Sequence, residues 1–100
     1  MRIEDVEKVM DELSKINIPE YWKVVDYGYF IRIFDKRLPE KQMIGIIHGG
    51  HSGKPYEIII TNVRISENEP SYIKKEFDYL FELISYLRKE FLIEIGTLKL

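Results

Sequence analysis

Two imidazoles, a hydroxyl and an ammonium crowd into His48-Gly49-Gly50-His51-Ser52-Gly53-Lys54. Such a set can do three kinds of chemistry. Glycines can turn backbone N–H groups toward an anion while Lys54 supplies charge. Two histidines three residues apart can share a metal ion, with Glu57 or Asp35 as candidates for further ligands. A histidine, whose unperturbed pKa is ~6.5, can also act as a general base. Against all three stands a plainer reading, a hairpin loop whose glycines supply positive φ. Walker spacing would need glycine where His48 stands, and Pro55-Tyr56-Glu57-Ile58 opens a strand, whereas a P-loop opens a helix. Nor does the chain contain His-Glu-x-x-His, or a spacing that identifies a Ser-His-Asp set. The plain loop is therefore the first expectation. Contact with a phosphate or nucleic acid through Gly49, Gly50, His51, Ser52, Gly53 and Lys54, helped by Arg37 and Lys41, is the second. No metal and no cofactor are expected, His48 and His51 being the sole candidates for one.

Two further groups could meet a partner. Tyr72, Tyr79 and Tyr86 recur every seven residues, with Leu83 nearly in line. On a helix that interval is close to two turns, so these side chains would form a seam beside the buried stripe. Tyrosine suits an interface because its ring buries area while its hydroxyl keeps a partner. The plainer alternative is packing on a neighbouring helix or the sheet edge. Separately, Lys23 and Arg32 stand beside Trp22, Phe30 and Phe34, followed by Lys36, Arg37 and Lys41. An exposed sheet face of that kind could stack single-stranded bases. The same aromatics serve equally as core, and Asp26 and Asp35 dilute the charge.

The elements that must position these groups are legible in outline. The histidine loop joins two runs rich in β-branched residues, Met43 to His48 and Tyr56 to Ile65, the form of a hairpin with a longer loop. Ile44, Ile46 and Ile47, like Ile58, Ile59 and Ile60, place apolar side chains on both faces, which predicts the middle of a sheet. Ile3 to Asn17 reads as an amphipathic helix with Ile3, Val6, Val9, Met10, Leu13 and Ile16 on one stripe. Glu4–Lys8 and Asp11–Lys15 are spaced for i,i+4 attraction worth ~0.3–0.5 kcal/mol each, and Pro19 ends the helix. Asp26-Tyr27-Gly28 predicts a turn between two strands within Tyr21–Asp35, in preference to one strand bent at Gly28. From Pro70 to about Glu90 a long helix is predicted, with Ile73, Phe77, Leu80, Phe81, Ile84, Leu87 and Phe91 inward. Leu92 to Leu100 is a candidate for a last short strand. The expected fold is α+β: two layers, a mainly antiparallel four-stranded sheet, and the order α-β-β-β-β-α with or without a final strand. Strands apolar on both faces then pose a choice. Either the helices divide between the faces, or a second copy of the chain covers the one left bare.

At 100 residues the chain makes a single domain. Its formal charge of −2 offers no overall surplus of cations for phosphate, so nucleic acid is not favoured as a partner. The absence of cysteine excludes thiolate nucleophiles and thiolate metal sites. No apolar run approaches the ~18–20 residues that span a bilayer, and Met1-Arg2-Ile3-Glu4-Asp5 is not a secretory signal, so no membrane partner and a cytoplasmic, intracellular location are expected. Many Ile, Lys and Tyr with no Ala suit an AT-rich genome, and few amides with many charges suit a thermophile. That is the pattern of a hot-environment archaeon or one of its viruses, whose proteins would act in the host cytoplasm. The functional expectation is a small non-enzymatic interaction module, a homodimer that engages a partner through its sheet or its tyrosine flank. Phosphate or nucleic-acid binding at the glycine loop is the first alternative, and metal-assisted hydrolysis at His48 and His51 the second.

Overall fold

The computed structural model describes residues 1–37, 43–50, 53–61 and 72–96. Along the chain it has α1 (Ile3–Lys15), β1 (Trp22–Asp26), β2 (Ile31–Asp35), β3 (Met43–His48), β4 (Tyr56–Thr61), β5 (Tyr72–Phe77), α2 (Leu80–Lys89) and α3 (Phe91–Ile95). The strands form one sheet in sequence order, each antiparallel to its neighbours. The class is α+β. As the isoleucine content implied, β3 is the central strand and β4 lies beside it.

Local chemistry explains the β1–β2 hairpin. Asp26 Oδ1 accepts the Gly28 N–H at 2.7 Å, the Tyr27 N–H reaches the Phe30 carbonyl at 2.9 Å, and Gly28 takes φ +94°. A positive φ of that size is cheap only for glycine. The single bent strand is thereby excluded. Further in, Gly45 lies so close to its neighbour that an added Cβ would meet Ile60 Cδ1 at 2.7 Å. A larger residue there would force the end of the Ile60 side chain to shift and would crowd the Ile59 carbonyl, 3.1 Å from the same Cβ position.

One face of the sheet carries the core. Strand alternation sends Ile31, Ile33, Ile47, Ile58, Ile60 and Ile73 to the same side, where each is at least nine-tenths buried. Against them pack Val6, Val9 and Leu13 of α1, Leu83, Tyr86 and Leu87 of α2, and Phe91 and Ile95 of α3. Each fully buried apolar side chain of this kind stabilises by ~1.5–3 kcal/mol. Ile44 has no partner in the β2–β3 register and is also wholly buried, at the point where the pairing shifts between Ile33 and Phe34. The three helices therefore lie on one side. Of the two arrangements posed above, the helices do not divide between the faces.

α1 and α2 are further joined by charge. Arg88 donates through Nε to Glu12 Oε1 at 2.5 Å and through Nη2 to Oε2 at 3.2 Å, and Glu12 itself is buried. Hydrogen bonds from Arg88 hold the Glu12 carboxyl below its ordinary value of 4.5. A carboxyl depressed in the folded state stabilises fully above that ordinary value, and the effect is lost as the pH falls through the depressed one. Arg88→Met is therefore expected to flatten the acid limb of stability, read as urea midpoints between about pH 6 and about pH 3. Parallel limbs for variant and parent would refute the linkage.

The C-terminal third corrects the sequence expectation. Tyr72–Phe77 is a fifth strand, not the first turns of a long helix, and α2 begins only at Leu80. Tyr-Ile-Lys-Lys-Glu-Phe alternates as well as it spirals. Pairing with β4 decides between the two, because otherwise Ile58–Ile60 would lie at an unprotected sheet edge. Residues 91–95 are helical, so the strand expected from Leu92 does not form there, and residues 97–100 lie outside the described residues. Phe91 and Ile95, one turn apart, both reach the core, which favours helix over strand. Tyr86 donates its hydroxyl to Glu94 Oε2 at 2.8 Å, tying α2 to α3. Burial, with that bond, pushes the Tyr86 hydroxyl far above the usual tyrosine range.

The buried stripe of α2 is also rotated from expectation. Leu83, Tyr86 and Leu87 face the sheet, Leu80 and Ile84 are half-buried, and Phe81 is 71 % exposed. Apolar residues on nearly every side of Leu80–Leu87 left the inward direction to be chosen by packing.

Candidate functional site

The helix-free face of the sheet holds the groups with the most chemical content. Its middle row, read across the paired strands, is Val25, Arg32, Ile46, Ile59 and Lys74. Phe34, Thr61 and Tyr72 flank it toward one end, and His48, Glu57 and Glu76 toward the other. Val25, Phe34, Ile46 and Ile59 each keep part of their surface in water. Among the described residues no helix lies on this side.

His48 and Glu57 face each other across β3 and β4, with His48 Nε2 at 3.2 Å from Glu57 Oε1. The glutamate side chain is 1 % exposed and that of the histidine 14 %. Glu57 Oε2 is buried and unbonded. A buried carboxylate oxygen left so is costly, typically ~1–3 kcal/mol. His48→Ala would remove the hydrogen bond that Glu57 does make. It is expected to lower unfolding free energy by about 1–3 kcal/mol in urea titrations; an unchanged midpoint would show that the pair stabilises nothing.

A guanidinium is lodged on the same face. Arg32 lies 5.4 Å from the Tyr27 ring centroid and 5.2 Å from that of Phe30, and those two rings stack at 5.1 Å. Its Nε is buried and unbonded. Of the basic and aromatic residues grouped by the sequence, Lys23, Arg32 and Phe34 share this face, whereas Trp22 is core on the other side.

The glycine loop does not assemble with Arg37. Gly49, Gly50, Gly53 and Lys54 follow β3 at one end of the sheet, while Arg37 follows β2 at the opposite end. Arg37 grips Asp35 through Nη2–Oδ2 at 2.6 Å and Nε–Oδ1 at 2.9 Å, and stacks 3.6 Å from the Tyr21 ring centroid. Asp35 is thus held by Arg37, far from His48, so it cannot serve as the further ligand once considered. Lys54 pairs with Asp78 at 2.8 Å. Gly53 has φ +83°, the conformational role the plain loop reading required. His51, Ser52 and Lys41 lie outside the described residues. Among the described residues no three metal-ligating side chains converge.

The tyrosine row is broken up by the fold. Tyr72 is on edge strand β5, Tyr79 precedes α2, and Leu83 and Tyr86 are buried in the core. The seam does not exist because the helix that would carry it starts at Leu80, after both Tyr72 and Tyr79. Tyr79 remains 62 % exposed and stacks on Phe81, with ring centroids 5.5 Å apart. Phe81 was missed as a surface residue; the surplus of apolar side chains around α2 was the available signal. Glu57 was named only as a distant candidate, although aligning Ile47 with Ile58 already sets it opposite His48.

Among the described residues no helix is long and apolar enough to cross a membrane. No protein-family model, curated protein or solved structure matches the chain.

Proposed function

We propose that this protein is a small non-enzymatic interaction module that works as a homodimer, a second copy covering the helix-free face of the sheet. One observation carries the proposal. Among the described residues all three helices pack on the same side, while Val25, Phe34, Ile46 and Ile59 occupy the other. Size supports it. Five strands ~4.8 Å apart and about six residues long make a face of roughly 450 Å² in projection, so two such faces meeting remove on the order of 1,000 Å² from water. That reaches the lower bound for a specific interface. Charge supports it too, since Lys23, Arg32 and Lys74 share the face with Glu76, and a surface of both signs can meet itself. Tyr72, exposed on the same side, would lie at its rim. The test is sedimentation equilibrium across micromolar concentrations, where a dimer mass is expected and a monomer throughout would end the proposal.

A second reading uses the same face differently. Arg32, Lys23 and Lys74 with Phe34 form a patch on which single-stranded nucleic acid could lie. Glu57, Glu76 and the overall charge of −2 weigh against it. Retarded migration of a labelled single-stranded oligonucleotide at low salt, with no dimer, would turn the choice to that reading.

A further inference from the structure

We infer that the groove between the outer sides of α1 and α2 docks an acidic amphipathic helix of a protein partner. Leu80, Phe81, Ile84 and Ser85 line the groove together with Lys8, Arg88 and Lys89. None of these lining residues is acidic. Arg88 is committed to Glu12, and among the described residues neither Lys8 nor Lys89 is paired with a carboxylate. Two ammonium groups thus border an apolar floor that no carboxylate lines, although Glu82 and Glu90 line the adjoining recess beyond Phe81 and Ser85.

The aromatic ridge beside this groove is hard to account for in the free chain. Phe81 is 71 % exposed, more than Tyr72 or Tyr79, and Tyr79 stacks on it nearly parallel, at 11°. Single exposed apolar side chains are ordinary, but a stacked pair beside a cation-bordered groove marks an interaction surface. Shape selects the occupant. Phe81 and Ser85 are one helical turn apart on α2, and small Ser85 leaves room for another backbone at helix-packing distance. A partner helix with apolar residues at i, i+3, i+4 and i+7 would rest on Leu80, Phe81 and Ile84. Carboxylates on its flanks would meet Lys8 and Lys89. A furrow with cations along it takes a rod more readily than a flat bilayer.

The experiment is a titration of the 15N-labelled full chain, at low salt, with a synthetic helix of about five turns bearing leucines at those positions and glutamates beside them. Amide shifts are expected at Leu80, Phe81, Ile84, Ser85 and Lys89. Phe81→Ala should weaken Kd about tenfold or more, as should the pair Lys8→Glu with Lys89→Glu. Because Phe81 is exposed, its variant should keep the parent's spectral dispersion. The same peptide with lysines in place of glutamates should not bind. Equal binding of both peptides, shifts confined to other residues, or no shift at all would each overturn the inference. So would binding to phosphatidylcholine–phosphatidylserine vesicles without binding to the peptide. Loss of a dimer mass on Phe81→Ala alone would also overturn it, since a second copy would then hold the groove.

Discussion

Phe91→Ala is expected to cost about 3–5 kcal/mol, which is a large share of the ~5–15 kcal/mol typical of a domain this size. Phe91 is wholly buried and sits where α3 turns back into the core, edge-on to Tyr86 with ring centroids 6.1 Å apart. Truncation loses the transfer energy of the ring and leaves a cavity that three converging elements can only partly close. The loss should also loosen α3, which has only five residues and no stability of its own. Guanidinium unfolding followed by far-UV circular dichroism, at one fixed protein concentration, checks it. A change below about 1 kcal/mol would mean that α3 is not part of the cooperative unit.

The second large effect belongs to Ile59→Lys. In the free chain this substitution changes a half-buried position on the helix-free face, so folding should survive, the lysine stem lying along the sheet with its ammonium in water. In a face-to-face dimer the same ammonium would be buried between Ile46 and Lys74, its row neighbours, with Arg32 one strand beyond Ile46. Burying that ammonium beside Lys74, where an isoleucine would otherwise pack, is expected to weaken dimerisation by about two orders of magnitude or more, roughly 3 kcal/mol. Tyr79→Ala, on the opposite layer, should leave the dimer intact. Sedimentation of the three proteins separates the cases. If Ile59→Lys sediments like the parent while Tyr79→Ala does not, the contact lies on the helices and not on the sheet.

How far the chain betrays its structure differs along its length. α1 and the two hairpins follow from patterns a few residues long: a stripe at helical spacing, isoleucine runs, and Asp26 bonding to the backbone at Gly28. β5 does not, because Tyr72–Phe77 satisfies both periods and its strand state depends on Ile58–Ile60 needing a neighbour. That requirement is set by residues more than ten positions away. The inward side of α2 is equally non-local. Leu80, Phe81, Leu83, Ile84, Tyr86 and Leu87 surround the helix, and only contact with β4, β5 and α1 selects Leu83, Tyr86 and Leu87. Of the candidate site, the two-faced apolar character of the central hairpin was legible, and so was the presence of His48 and Glu57 beside its loop. The burial of Glu57 was not, since nothing in a Tyr-Glu-Ile run says that a carboxylate will be enclosed. Nor could spacing along the chain reveal that Arg37 and Lys54 end up at opposite ends of the sheet.

The covering of the helix-free face is tested most directly by isotope-filtered nuclear Overhauser measurements on a mixture of 13C-methyl-labelled and unlabelled chains. Such spectra contain only contacts between different molecules. The Ile46 and Ile59 methyl groups are expected to show intermolecular contacts with Phe34, Val25 or each other's counterparts in the second copy. Intermolecular contacts confined to Tyr79 and Phe81, or none at millimolar concentration, would contradict it.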